Sequence, residues 1–358
     1  MSFLISLLIL GFLILVHESG HFLVARRVGV KVLRFSIGFG PRLLTWQRHG
    51  TEYALSLIPL GGYVKMAGEQ RNEYTHQPWE YLAKPIGTRV AIILAGPLVN
   101  YLVAVATLWL VFLIGYPELS PAIGTLMEDM PAKAAGFQSG DRVVSISGQA
   151  VRTWDELTKL VHQSAGVPID VEIERQGARQ HVSVVPQPKA QRDLYGRMRP
   201  VGLIGIAPSG DMTITQVGPL EAVHRTFLKQ GEWCASIGLA FWSMATGRLS
   251  MRESITGPIG IIILTSEAVH LGFAWVLSLV SLFSLSLAVF NVFPIPILDG
   301  GHLFFLALEK LRGTPISLSV QERATQVSLV VLVALIIVVS VNDVRNFRLV
   351  DRLLEWVR

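Results

Sequence analysis

Apolar residues in this chain come in long blocks separated by polar stretches, and the blocks predict a membrane protein. Residues 2–16 carry no charge and are mostly apolar, and apolar residues resume after a short polar interruption, so a spanning helix is expected over residues 1–28. Further blocks predict spans at 87–115, at the start of 272–303, and at 325–342. Region 29–86 has no such block. It alternates, as in TEYALSL, and Gly and Pro divide it into strands at Val30–Ile37, Arg42–Trp46, Glu52–Leu57 and 59–66. Two readings stand for it: a small cytoplasmic β-hairpin, or a sheet that dips toward the membrane and offers an edge to an extended peptide.

Residues 117–188 change character and predict a compact α+β domain. Thr153 to Glu156 is a T-x-x-E capping box opening a helix, and Gln176-Gly177 is a turn between two alternating strands. Residues 189–271 are expected to hold a polar linker, to about 215, followed by amphipathic or interfacial helices. Within them 232–247 is apolar but short for a span; a fifth span there would invert the topology of everything after it. Gly257-Pro258-Ile259-Gly260 predicts a break between helices, 304–324 a weakly basic cytoplasmic loop, and 343–358 a polar tail.

Composition sharpens the class. The chain is 51% hydrophobic and only 16% charged, where soluble proteins average about 25% charged. The net charge is +5, yet no basic helix or stacking motif supports nucleic-acid binding. The lipid bilayer is the expected partner, and the excess charge belongs to cytoplasmic loops. Ten Lys and Arg lie between 26 and 89 against four acids, which places that region, and the end of the first span marked by Arg26 and Arg27, on the cytoplasmic side. Four spans then put Met1 and residues 117–188 outside. The lone cysteine, Cys234, excludes an intrachain disulfide and a Cys-rich zinc site.

The chemistry is concentrated in the first block, where His17-Glu18-Ser19-Gly20-His21 is an HExxH motif. Histidines four apart share one helix face and reach one metal ion, and the glutamate beside them is the general base of zinc peptidases. Three ionisable groups in a short apolar span are costly and point to function. A catalytic zinc needs a third protein ligand. Asp299, which ends an apolar segment broken by Pro294 and Pro296, is the leading candidate, with His302 its competitor. In the second block Gly96-Pro97 and Asn100 interrupt the apolar run. Gly there permits close helix approach, and an intramembrane Asn faces a protein partner. A non-catalytic receptor or chaperone with a structural metal, and a metal-ion transporter, are the rival readings; spans two and four hold no further acids or histidines, which weighs against the transporter.

HESGH, the spacing of Gly96 and Asn100, and Asn291, Pro294, Asp299 and Gly300 together resemble the site-two protease family of intramembrane zinc metalloproteases. GFGP, PLGGYVKM, GPIGI and the string PAKAAGFQSGDRVVSISGQAV, which resembles a PDZ domain, make the chain similar to the bacterial regulator-of-sigma-E branch over essentially its full length. The resemblance implies an α-helical membrane bundle of about four spans, a membrane-re-entrant β-hairpin within 38–66, and an inserted periplasmic PDZ-like α+β domain. It implies one Zn2+ per chain, held by His17, His21 and Asp299, with Glu18 as the catalytic base. Asn291 is then expected to contact the substrate backbone, and Asn100, Gly61 and Gly62 are further candidates for substrate contact. The implied substrates are single-span membrane proteins of the anti-sigma-factor type, or remnant signal peptides, cut by regulated intramembrane proteolysis in the bacterial inner membrane. An extended peptide is the expected ligand of the PDZ-like domain.

Overall fold

The structure is a computed structural model and describes residues 2–70, 72–192, 198–248 and 257–346. The chain divides into two compact units: residues 1–110, 223–237 and 251–358 form the first, and residues 111–222 with 238–250 the second.

In the first unit α1 (Ser2–Arg27) is the motif-bearing helix. It carries no acid in its first turn and ends on Arg26 and Arg27, the sign that suits a helix C-terminus. Gly29, in the left-handed region at φ 72°, stops it. Two long antiparallel strands follow, β1 (Val32–Arg48) and β2 (Thr51–Met66). Their register doubles: Phe35 is partnered by Val64 on one side and by Tyr53 on the other, while Trp46 also faces Tyr53. The four strand segments expected from the alternation are thus joined, two by two, into continuous strands with irregular register around Gly38 and Gly40. Ala25, Val30, Val32, Met66 and Ile92 are buried together and bind α1, β1, β2 and the next helix into one core.

That helix, α2 (Ile86–Ile114), runs unbroken through Pro97, as the single span expected over 87–115 requires. Four helices of the described residues are long and apolar enough to cross a membrane: Phe3–Arg27, Ile86–Ile114, Phe273–Val292 and Ser319–Arg345. The 232–247 stretch belongs to a longer helix over Pro219–Ala245, whose first half carries Glu221, Arg225, Lys229 and Glu232, and it is not among the four.

The second unit, where a PDZ-like domain is expected, is an α+β domain. Its strands are β3 (Tyr116–Leu119), β4 (Ile123–Leu126), β5 (Arg142–Ile146), β6 (Gln149–Ala150), β7 (Ile169–Arg175), β8 (Ala178–Val184), β9 (Gln187–Arg192), β10 (Met198–Leu203), β11 (Ile206–Pro208) and β12 (Met212–Thr215). One sheet has the order β6-β5-β7-β8, and β4–β11, β3–β12 and β9–β10 form antiparallel pairs. Helix α3 (Pro131–Ala134) and the capped helix α4 (Trp154–Gln163) complete the unit. Ile123, Phe137, Val143, Leu157, Val161, Ile173 and Ile204 are buried in its core. Asp141, fully buried, holds Arg175 through two 2.7 Å contacts and accepts from the Gln138 amide. The expected linker over 189–215 is therefore corrected. It carries four short strands, hard to see in the sequence because the stretch gives the core little: Ile204, between β10 and β11, is buried there and Ile206 packs against it.

The helix over Pro219–Ala245 is α5, of which residues 223–237 belong to the first unit; α6 (Pro258–Leu271), in the first unit, begins at the GPIG motif. Residues 249–256 before it, and 347–358 of the expected tail, lie outside the described residues. Helices α7 (Phe273–Val292), α8 (Asp299–Arg312) and α9 (Leu318–Asn346) follow. The loop expected over 304–324 is thus mostly helix, because α8 buries Leu306 and continues until Gly313 at φ 71° caps it. Asp343 of α9, 1% exposed, accepts from the Gly257 and Gly260 amides and caps the N-terminus of α6 from a neighbouring helix.

Candidate metal centre

The centre is assembled where α1 crosses α2 with almost nothing between their backbones. A Cβ on Gly20 would strike the Ala95 carbonyl and lie 3.0 Å from Gly96 Cα, so glycine inside HESGH is a condition of the crossing. Gly96 serves the same end on the other side: a Cβ there would collide with the rings of both His17 and His21. Both histidines are buried, and their Nε2 atoms are 3.1 Å apart. His21 Nδ1 donates to the Ile92 carbonyl at 2.8 Å, which leaves the Nε2 lone pair for a metal. The Asn100 amide lies 3.4 Å from His17 Nδ1.

Asp299 arrives from the far end of the chain at the first turn of α8. Gly300 and Gly301 let the preceding loop fold back on that turn, since a Cβ on either would strike the backbone of Val292–Pro296. Asp299 Oδ2 then sits 2.9 Å from His17 Nε2 and 3.4 Å from His21 Nε2. These approaches lack hydrogen-bond geometry, and no other donor among the described residues reaches this buried oxygen. A buried carboxylate oxygen close to two imidazole nitrogens but hydrogen-bonded to neither is arranged as a ligand beside other ligands. Ligand atoms of the three residues lie within 4.8 Å of one another, and two nitrogens with one carboxylate oxygen suit a zinc site that keeps a position open. The cluster does not include His302, which lies one turn on from Asp299 and lines the adjoining cavity.

That cavity holds about 650 Å³ and is lined by Glu18, His21, Val64, Asp299, His302 and Arg89 among others. Glu18 is half-buried on it, with the Val64 amide of β2 approaching its carboxylate. Arg89, from the first turn of α2, pairs with Glu309 of α8 at 2.5 Å and joins the two helices across the cavity. Beside it Glu80 is buried; burial alone would raise its carboxyl, but hydrogen bonds from Thr75 and Gln77 hold it below the usual range and fix the 67–83 loop.

The candidates for substrate contact separate. Asn291, in the last turn of α7, is half-buried, and its amide makes no hydrogen bond among the described residues. Asn100 is fully buried, with its amide 3.4 Å from His17 Nδ1. Gly61 and Gly62 are also buried, and their lack of side chains serves packing. A Cβ on Gly61 would lie 2.9 Å from Ile14 of α1, and one on Gly62 would strike the Ser36 carbonyl of β1. Three contributors were missed: the Ile92 carbonyl, the Val64 amide and the Arg89–Glu309 pair. The first two are backbone groups with no side-chain signature, and the third joins residues 220 positions apart.

The chain matches the profile of Peptidase family M50 over residues 5–335. It is 35% identical to a protein of Rhizobium meliloti named "putative zinc metalloprotease", over 94% of this chain and 95% of that one. It is 30% identical to the regulator of sigma-E protease RseP of Escherichia coli, over 96% of this chain and 97% of that one. That alignment spans 450 positions, more than the 358 residues of this chain, so the Escherichia coli protein carries an insertion relative to it. Among solved structures, the PDZ domain of an SdrC-like protein from Listeria monocytogenes matches 24% of this chain and 84% of its own length, at 19% identity and a TM-score of 0.20.

Proposed function

The chain belongs to peptidase family M50, and from that membership and the geometry of its metal centre we propose that it cuts single-span membrane proteins inside the bilayer. The observation that carries the reading is the convergence of His17, His21 and the unpartnered Asp299 oxygen beside a cavity that also receives Glu18. His17, His21 and Asp299 are the residues that would hold zinc. Bound there, zinc supplies a Lewis acid that polarises a peptide carbonyl and acidifies water.

The chain's own groups do the rest. A Glu18 carboxylate oxygen takes a proton from water and returns it to the leaving amine. The Val64 amide steadies that carboxylate and places β2 beside the point of attack. A helical substrate hides its amides, so it must be unwound before cleavage. Residues 62–66 of β2 pair on one side only among the described residues, with the first strand segment of β1, and their open side is where an extended substrate would lie. The Asn291 amide, which makes no hydrogen bond among the described residues, would orient the scissile backbone. In this reading the protein lies in the bacterial inner membrane; the positive charge at Arg26 and Arg27 supports an orientation with Met1 and the PDZ-like domain on the periplasmic side and the metal centre toward the cytoplasm. Anti-sigma-factor-type proteins and remnant signal peptides are the proposed substrates, and the PDZ-like domain is proposed to take an extended peptide.

The test is Glu18→Gln in the full chain reconstituted with a single-span reporter. Cleavage is expected to be lost while one zinc per chain is retained. Undiminished cleavage by that variant would sink the mechanism.

A further inference from the structure

We infer that Asn100 is a positioning residue of the metal centre, whose side-chain carbonyl accepts the Nδ1 hydrogen of His17 and so aims the His17 Nε2 lone pair at the metal. The inference rests on the reading of His17, His21 and Asp299 as zinc ligands.

A neutral imidazole carries one N–H. If Nε2 is the ligand, the hydrogen sits on Nδ1 and needs an acceptor, because an unpaired buried donor is costly. For His21 the acceptor is the Ile92 carbonyl at 2.8 Å. For His17 the group at Nδ1 is the Asn100 amide, 3.4 Å away. The amide nitrogen is the atom nearest Nδ1, an arrangement that would leave the hydrogen on Nε2 and direct it at Asp299. The two ends of an amide have nearly the same shape, and their assignment follows from what faces them. Asn100 Oδ1, on the other end, has no partner, so nothing there opposes a half-turn of the group. His17 decides the orientation, and a ligating Nε2 requires the oxygen to face Nδ1.

The backbone around Asn100 is built to hold it. Ser284 Oγ of α7 donates to the Asn100 carbonyl at 2.7 Å, and Ser281 Oγ donates to the Ala104 carbonyl one turn later at 2.7 Å. The side chain is 0% exposed, so it meets no substrate. Ile92, Gly96 and Asn100 lie at successive turns on one face of α2. The first orients His21, the second clears space for both rings, and the third orients His17. One helix face thus provides the whole outer support of the two histidines.

The test measures zinc affinity of the purified full chain by competition with a chromophoric chelator. Asn100→Leu, similar in volume but without an acceptor, should bind zinc about 10–100-fold more weakly, the range for losing an outer partner of a metal ligand. Asn100→Asp keeps the acceptor and removes the donor, so it should bind as tightly as wild type or tighter. Gly87→Ala, in the first turn of the same helix with nothing within 4 Å of the added methyl, should bind as wild type does. If Asn100→Leu fails to fold, Asn100→Ala makes the same comparison with only a small cavity. Wild-type affinity in the variant lacking the acceptor, or equal weakening in Asn100→Asp, overturns the inference. A wild-type chain that holds no zinc would instead refute the metal centre itself.

Discussion

Replacing Gly96 with alanine adds one methyl group at the crossing of α1 and α2 and tests whether the centre depends on that closeness. The new Cβ would lie 2.6 Å from His21 Cε1 and 2.7 Å from His17 Cε1. Carbon atoms in contact need about 3.5–4.0 Å, so both rings must withdraw by about 1 Å or the helices must part. The helices have little room to slide, because Gly20 already rests on the Ala95 backbone. A shift of about 1 Å exceeds the roughly 0.5 Å within which a working site must be held. A displacement of that size lowers rate by about 100-fold, and overpacking costs about 1–3 kcal/mol of stability. Gly87→Ala in the first turn of the same helix meets nothing within 4 Å and is the matched control; its effect should be under about 1 kcal/mol. The assay is cleavage of a single-span reporter in liposomes, read beside chelator competition for zinc. Gly96→Ala with wild-type cleavage and wild-type zinc affinity would refute the packing argument.

Gly61→Ala places a side chain at φ 82° and 2.9 Å from Ile14, so it should push β2 off α1 and slow cleavage while zinc affinity holds; the two assays above separate these effects. Its conformational cost alone is about 1–2 kcal/mol. Ile173→Ala empties a fully buried position of the PDZ-like unit and should cost about 2–5 kcal/mol, read as faster hydrogen exchange across residues 169–184 with unchanged zinc binding. The Arg34 hydrogen bond and the nearby Arg42 hold the Glu52 carboxyl below its ordinary 4.5. A carboxyl depressed in the fold stabilises it above that value and loses this contribution as pH falls below it. Exchange protection over residues 34–54, corrected for intrinsic rates, should therefore weaken below about pH 4.5 in wild type and lose that dependence in Glu52→Gln.

The parts of the centre differ in how openly the sequence displays them. His17 and His21 need only the periodicity of one helix, so their shared face is legible without any knowledge of packing. Asp299 is nameable from chemistry, as a carboxylate in a broken apolar segment, but its distance to the histidines depends on how α8 is seated by Gly300 and Gly301. Gly96 and Asn100 stand out as exceptions in an apolar run. What they touch depends on the register between α1 and α2, which neither helix encodes alone, so the sequence says that Asn100 faces a protein partner but not that the partner is His17. Ile92 is invisible to any pattern because it contributes a carbonyl. In the second unit the reverse error occurs: β9 to β12 are short and punctuated by Pro and Gly, and only their pairing with β3, β4 and each other distinguishes them from a linker.

The wide separation of Asp299 from His17 and His21 has a consequence for the protein's birth. Ribosomes release α1 first, and the two histidines enter the membrane long before Asp299 is made. At ordinary rates of synthesis the interval is on the order of tens of seconds. During that time the second unit is translated, and the nascent chain sits among other proteins being inserted with only two of the three proposed ligands. A chain interrupted before α8 is equally harmless. Late delivery of one carboxylate thus keeps a bond-cutting centre switched off until nearly all of its own scaffold exists.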